Sequence, residues 1–139
     1  MDVNVLVALA HEDHVHHAPA RRWFTQRGHI AFATCPIVQS GFVRVATNPR
    51  SFKGRLTFEE AGIFLHGLSR MPEHEFWPDD LDWTSPGTLR WQRLRGHLQT
   101  TDLYLVSLAE SHNGMFATFD RGPSELASRR DFVEVIPTA

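Results

Sequence analysis

Three aspartates, Asp2, Asp102 and Asp120, are the residues best suited to chemistry in this chain. Each borders an apolar run: Val3 to Leu9, broken only by Asn4, follows Asp2; Leu103 to Leu105 follows Asp102; Met115 to Thr118 precedes Asp120. Carboxylates gathered in one cleft repel each other, and some keep their protons unless a cation sits among them. Mg²⁺ or Mn²⁺ resolves that repulsion, because such ions take oxygen ligands, retain waters and leave positions for the oxygens of a phosphate. The ion then orients a water, lowers its pKa and stabilises charge on the phosphate. Taken singly, two of the aspartates have plain structural readings: Asp102 as a helix cap and Asp120 as a turn residue before Gly122. No Cys–His spacing of the zinc-binding kind competes with the acidic reading.

The elements that must position these acids are short. Met1 to Leu9 is expected to be the end of a strand leading into a short helix, with Asp2 at the strand's end and few residues before it, so that strand is either clipped or starts upstream. His14 to Gln26 has helical spacing, with Asp13 as N-cap and Pro19 early enough to be tolerated. His29 to Ala33 is short and apolar. Thr34-Cys35-Pro36 starts a second helix, which Asn48-Pro49 stops. Thr57-Phe58-Glu59-Glu60 resembles a capping box and opens a helix to about Ser69. Glu73 to Trp77 is predicted as a strand. Thr84 or Ser85 is expected to cap a helix through Leu94, and Thr100-Thr101-Asp102 to cap the apolar helix Leu103 to Ser111. Asn113-Gly114 turns the chain, Met115 to Thr118 is a buried strand, Ser124 to Ser128 a short helix and Phe132 to Ile136 a last strand.

Strands alternating with helices imply an α/β fold, a three-layer sandwich with a central parallel sheet flanked by helices. In such sheets the ligand site lies at the carboxyl ends of the strands, where Asp2 and Asp120 are expected. The 139 residues suit a single domain, 1–139. The one cysteine, Cys35, permits no intrachain disulfide. That fits a reducing cytoplasm, and with neither an apolar run of membrane length nor a signal peptide the chain reads as cytoplasmic. The net charge of −2 lacks the basic excess of a nonspecific nucleic-acid binder and counts mildly against a nucleic-acid substrate. Lys53 is the only lysine among fourteen basic residues, and arginine suits phosphate recognition.

The segments Asp2-Val3-Asn4-Val5-Leu6-Val7-Ala8-Leu9, Thr101-Asp102-Leu103-Tyr104-Leu105 and Ala117-Thr118-Phe119-Asp120-Arg121-Gly122 resemble, in the same order, the three acidic motifs of PIN-domain proteins. His14-Val15-His16-His17, Trp23-Phe24, Cys35-Pro36, Gly41-Phe42-Val43-Arg44 with Asn48-Pro49, and Phe76-Trp77-Pro78-Asp79-Asp80-Leu81 resemble one subgroup, the VapC ribonuclease toxins. The resemblance covers nearly the whole chain. It implies a PIN fold, Mg²⁺- or Mn²⁺-dependent endoribonuclease activity, an RNA substrate, a homodimer and inhibition by a cognate VapB-type antitoxin. Carried over, Asp2, Asp102 and Asp120 are the catalytic, metal-holding acids, and Asn4 and Thr118 are polar neighbours that orient carboxylates or water. One departure is Gly41, where many PIN nucleases carry a glutamate before the aromatic residue. Its absence leaves three acids, with Asp79 or Asp80 as candidate replacements. It also favours an alternative, a weak or inactive PIN module that binds RNA or protein. A rival from another class is an aspartate-dependent phosphatase, whose chemistry wants an acid where Asn4 stands.

Other residues offer weaker chemistry. His11, His14, His16 and His17 cluster near the first helix junction; His14 and His17 on one helix face would suit a transition metal, and surface histidines around a helix start are the plainer reading. His97 is a candidate base or phosphate contact, or a structural helix-terminus residue. Trp77, Trp83, Trp91 and Phe76 could stack RNA bases. Periodicity assigns Phe76, Trp77 and Trp91 to the core and leaves Trp83 as the exposed one. Arg44, Arg50, Lys53, Arg55 and Arg121 are candidate phosphate contacts.

Overall fold

The structure, a computed structural model, describes residues 1–27, 30–51 and 54–139. His29 and Lys53, which enter the sequence expectations above, lie outside the described residues. The chain divides into two compact units, Met1–Pro78 with Ile136–Ala139, and Asp79–Val135.

The first unit opens with helix α1, Val3–Ala10. No strand precedes it. Met1 N instead donates to the carbonyl of Ala33 at 3.3 Å. β-Branched Val3, Val5 and Val7 are poor helix formers, but Val5, Leu6, Val7 and Ala8 are all buried, and burial on every side overrides propensity. Helix α2 spans His17–Arg27 and so starts three residues later than the spacing suggests. The reason is local: the His14 ring accepts the N–H of His16 at 3.1 Å, and His17 N bonds back to His14 O at 2.8 Å, a turn that takes up the expected first turn of helix. Pro19 then falls in the first helical turn, where its missing N–H costs nothing. Strand β1, Phe32–Thr34, leads through the N-cap Cys35 into α3, Pro36–Ala46, with proline at the first helical position as the chain chemistry favours. Helix α4, Phe58–Ser69, carries the expected capping box: Thr57 Oγ1 accepts from Glu60 N at 3.1 Å and Glu60 Oε2 from Thr57 N at 2.8 Å. Strand β2, His74–Phe76, pairs parallel with β1, Phe32 opposite His74 and Thr34 opposite Phe76. The core joins these elements through the ring pairs Phe24–Phe32 and Phe42–Phe64, each with centroids 5.1 Å apart.

In the second unit the expected helix from Thr84 to Leu94 does not form. Asp82 gathers Thr84 N at 2.8 Å, Thr84 Oγ1 at 2.7 Å and Ser85 Oγ at 3.1 Å, and Gly87 takes a φ of +75°, so Pro86-Gly87 turns the chain instead. Only a 3-10 turn, Trp91–Arg93, follows, then another at His97–Gln99. Helix α5, Thr100–Ser111, is buried over most of its surface. Asn113, at a φ of 53°, reverses the chain into β3, Phe116–Thr118. After a 3-10 turn at Gly122–Glu125, in place of the expected helix Ser124 to Ser128, β4, Val133–Val135, pairs parallel with β3.

The aromatic expectation inverts. Trp91 is 57% exposed and Phe76 52%, whereas Trp83 is half-buried, its ring 6.2 Å from that of Tyr104 in a stacked arrangement. A 3-10 turn and the open end of a strand pair three residues long do not hide side chains as a helix with period 3.6 would.

Candidate active site

Asp2 is the N-cap of α1. It is 8% exposed, and its Oδ1 accepts from Val3 N at 2.7 Å. Its own carbonyl receives Val5 N and Leu6 N, each at 3.2 Å, the first bonds of the helix. The carboxylate therefore sits at the positive end of a helix, which favours its ionised form. Asn4 lies in the first turn of the same helix, half-buried. Beside them α3 packs closely: an ideal Cβ on Gly41 would stand 2.6 Å from Val3 Cγ2, inside the distance any real side chain keeps. Glycine at this position is what lets α3 approach the turn that holds Asp2. The sequence showed the missing glutamate but not this contact.

In the second unit, Asp102 is not the cap of α5 but its third residue, half-buried in the first turn. Gln99 occupies the cap position without a side-chain bond. The helix end still attracts the carboxylate, but Asp102 is not spent on closing the helix. The chain reverses at Asn113, and β3 packs on α5. Thr118 closes the strand, fully buried, and its Oγ1 accepts the N–H of Asp120 at 3.1 Å. That bond bends the chain out of the strand and leaves Asp120 exposed to solvent, just past the carboxyl end of β3. The structure thus joins Thr118 to Asp120 and brings both onto the element packed against α5. Asp2, in the first unit, stands with Asn4 and the Gly41 contact.

Among the described residues, no group of three or more His, Cys, Asp or Glu side chains is gathered closely enough to hold a metal ion by itself. The histidine cluster is structural in what it touches. His11 is buried with Nε2 2.6 Å from Gly54 O, His17 Nδ1 is 2.8 Å from Ala8 O, and His14 precedes α2 rather than sharing a face with His17. Burial, and next the neighbouring histidines, push the His14 pKa down. His97 is exposed at the head of a 3-10 turn, its carbonyl accepting from Thr100 Oγ1 at 2.7 Å. Arg44, Arg50, Arg55 and Arg121 are all exposed, Asp80 is exposed and Asp79 half-buried.

Residues 1–128 match the model of the PIN domain. The chain belongs to the PIN-domain family. Within it, the chain is similar to several VapC ribonucleases of Mycobacterium tuberculosis. It is 38% identical to Ribonuclease VapC38 over 130 residues, covering 94% of this chain and 90% of that protein. It is 37% identical to Ribonuclease VapC39 over 136 residues, 98% and 97% of the two chains. With Ribonuclease VapC29 the identity is 38% over 138 residues, 99% and 96%. The PIN match runs through all three aspartates and through both compact units, and it accounts for the α/β element order and the parallel pairing of the strands.

Proposed function

We propose that this PIN domain, 1–139, is the toxin of a type II toxin–antitoxin pair, a Mg²⁺- or Mn²⁺-dependent endoribonuclease that hydrolyses RNA phosphodiester bonds with water. The observation that carries the reading is the placement of Asp102 and Asp120 on two packed elements, α5 and the end of β3, in a chain whose relatives are named ribonucleases along its whole length. The proposed catalytic acids are Asp2, Asp102 and Asp120. As a donor set they fit a hard divalent cation by type, since every candidate ligand atom is a carboxylate oxygen. When bound, such an ion supplies an acidified water and neutralises charge on the phosphate.

The chain's own residues do the rest. Asp2 and Asp102 each stand at a helix N-terminus, where the helix dipole attracts a carboxylate. Thr118 fixes the backbone from which the Asp120 carboxylate projects. Asn4, two residues from Asp2, is the polar neighbour that orients a carboxylate or water. With only three acids, a bound cation would have to take further oxygen ligands from water or from the phosphates of RNA. The partners that follow from the reading are RNA, a VapB-type antitoxin and a second copy of the chain. The proposed compartment is the cytoplasm; no helix among the described residues is long and apolar enough to cross a membrane.

Gly41 favours the second reading, a PIN module that binds RNA or protein without cutting. A divalent-metal titration followed by an RNA-cleavage assay separates the two. Cleavage that appears with Mg²⁺ or Mn²⁺ and disappears on chelation supports the nuclease. RNA binding without cleavage at saturating metal supports the inactive module, and hydrolysis of phosphate monoesters alone points to the phosphatase.

A further inference from the structure

Trp91 is the most exposed tryptophan environment in the second unit, and it is not loosely held. It stands in the 3-10 turn Trp91–Arg93 with 57% of its surface open. Behind it, Trp83 packs against the Trp91 ring, centroids 5.1 Å apart and planes at 84°. Trp83 in turn stacks on Tyr104, with an interplanar angle of 18°. Tyr104 is buried on α5, two residues after Asp102, and its hydroxyl accepts from Leu81 N at 3.3 Å. The column Trp91–Trp83–Tyr104 thus runs from solvent to the helix that carries a proposed catalytic acid. The turn is pinned a second time by Arg93, whose Nη1 donates to the carbonyls of Ala127 at 2.8 Å and Glu125 at 3.3 Å, in the segment that follows Asp120.

A single exposed apolar side chain is ordinary on a protein surface; what distinguishes Trp91 is that its ring is held in place by Trp83. The charge around it names the class of partner. Between Asp82 and Asp102 the chain carries Arg90, Arg93, Arg95 and His97 and no acidic residue; Arg90 lies 3.9 Å from Glu110, which leaves Arg95 as the arginine open to a ligand. Arg93 is committed to the carbonyls above. Arg95 is exposed, with Nη1 3.2 Å from the carbonyl of Gln92, next to Trp91. A flat aromatic surface beside guanidinium groups matches a nucleobase with its adjoining phosphate: the base stacks and the arginine meets the backbone.

We propose that Trp91 is a base-stacking residue for single-stranded RNA, with Arg95 contacting the neighbouring phosphate, and that this platform helps select the nucleotide near the cleaved bond. The proposal rests on the ribonuclease reading above. Trp91 is a binding and specificity residue; it takes no part in the proton or phosphoryl chemistry. Stacking on an aromatic side chain contributes about 1–3 kcal/mol per base, which is roughly a 5- to 150-fold change in affinity.

The test uses the purified full chain and a short fluorescein-labelled single-stranded RNA of mixed sequence. Fluorescence anisotropy without divalent metal reads binding, and cleavage with Mg²⁺ reads kcat and KM, for wild type, Trp91→Ala, Trp91→Phe and Arg95→Gln. We expect Trp91→Ala to weaken binding and raise KM by roughly tenfold with kcat little changed, Trp91→Phe to restore most of the loss, and Arg95→Gln to flatten the salt dependence of binding. Melting followed by circular dichroism checks that each variant is folded; if Trp91→Ala is not, Trp91→Leu, which keeps bulk but removes the ring, takes its place. Wild-type cleavage with unchanged Kd and KM in the folded variants overturns the platform while leaving the nuclease intact. A variant that keeps RNA binding but loses a protein partner assigns the surface to that partner and overturns the proposal. A wild-type chain that neither binds nor cuts RNA overturns the ribonuclease reading and the platform with it.

Discussion

Gly41 and Val3 are in contact at the limit of what backbones allow: a Cβ on Gly41 would stand 2.6 Å from Val3 Cγ2. The position where many PIN nucleases carry a glutamate is therefore occupied here by close packing of α3 on the first turn of α1. Replacing a glycine inside a helix ordinarily gains about 1 kcal/mol from propensity. Overpacking a tight contact costs about 1–3 kcal/mol, and Val3, being β-branched, has little rotamer freedom to yield. The packing term wins. Gly41→Ala is expected to lower unfolding stability by about 1–2 kcal/mol in a urea titration. Adding Val3→Ala should recover it, because the colliding methyl is gone. Full stability of Gly41→Ala alone would show that α1 slides easily. Gly41→Glu should destabilise more, and is expected to tighten Mn²⁺ binding in calorimetry only when Val3→Ala makes room for it.

Asp102→Asn tests the acid on α5. The side chain sits in the first helical turn rather than at the cap, so losing its charge removes only about 0.3–1 kcal/mol of helix-end attraction. The fold should survive, with an unchanged circular dichroism spectrum, while RNA cleavage is lost. Wild-type cleavage by this variant at saturating Mg²⁺ would falsify a catalytic role for Asp102.

How much of this was legible beforehand follows from the range of each signal. The capping box at Thr57 and Glu60, proline after Cys35 and the apolar run of α5 are local signals, and each marks its element to within a few residues. Asp82 was not read as the organiser of its loop, because Thr84 and Ser85 look like caps from sequence and only the geometry shows them turned back onto Asp82. The exposure of Trp91 depends on the missing helix between Thr84 and Leu94, so one wrong element carried a second error with it. The three acids were found through their order along the chain, while the packing at Gly41 is a long-range contact that no spacing reveals. Net charge also hid a usable signal: residues 14–58 hold seven basic residues and no acidic one, a segregation that the overall −2 averages away.

Thr118 offers a finer test. Its hydroxyl is buried and accepts the Asp120 N–H at 3.1 Å. Thr118→Val keeps the shape and removes the acceptor, so Asp120 loses the bond that sets its direction. Stability should fall by about 1–2 kcal/mol and kcat should drop, while Thr118→Ser retains most of both. Equal cleavage by Thr118→Val and wild type would mean that Asp120 is positioned by other contacts.

Stability should also respond to pH in a defined direction. Burial depresses the pKa of both His74 and His14 below the ordinary 6.5. Thr34 Oγ1 accepts from Gln39 Nε2 at 3.1 Å and lies 2.7 Å from His74 Nε2, within hydrogen-bond reach. A histidine with a lowered folded pKa binds its proton more readily when unfolded. Its contribution is therefore complete above pH 6.5 and is lost as the pH falls through that value towards the lower folded pKa. Urea midpoints should be flat from neutral to mildly alkaline pH and decline on acidification, with a smaller decline in His74→Gln. A midpoint that rises on acidification through this window would contradict the assignment.

Asp2, Asp102 and Asp120 are all proposed to serve the same RNA-cleavage reaction. A double-mutant cycle on cleavage of single-stranded RNA at saturating Mn²⁺, with Asp2→Asn, Asp120→Asn and the two combined, tests it most directly. Groups that act as a unit are strongly non-additive, because removing one already disables the rest. The account predicts that each single variant loses roughly a hundredfold or more in kcat/KM and that the double variant is no worse than either. Wild-type cleavage by Asp2→Asn, or single losses that simply multiply in the double variant, would contradict it.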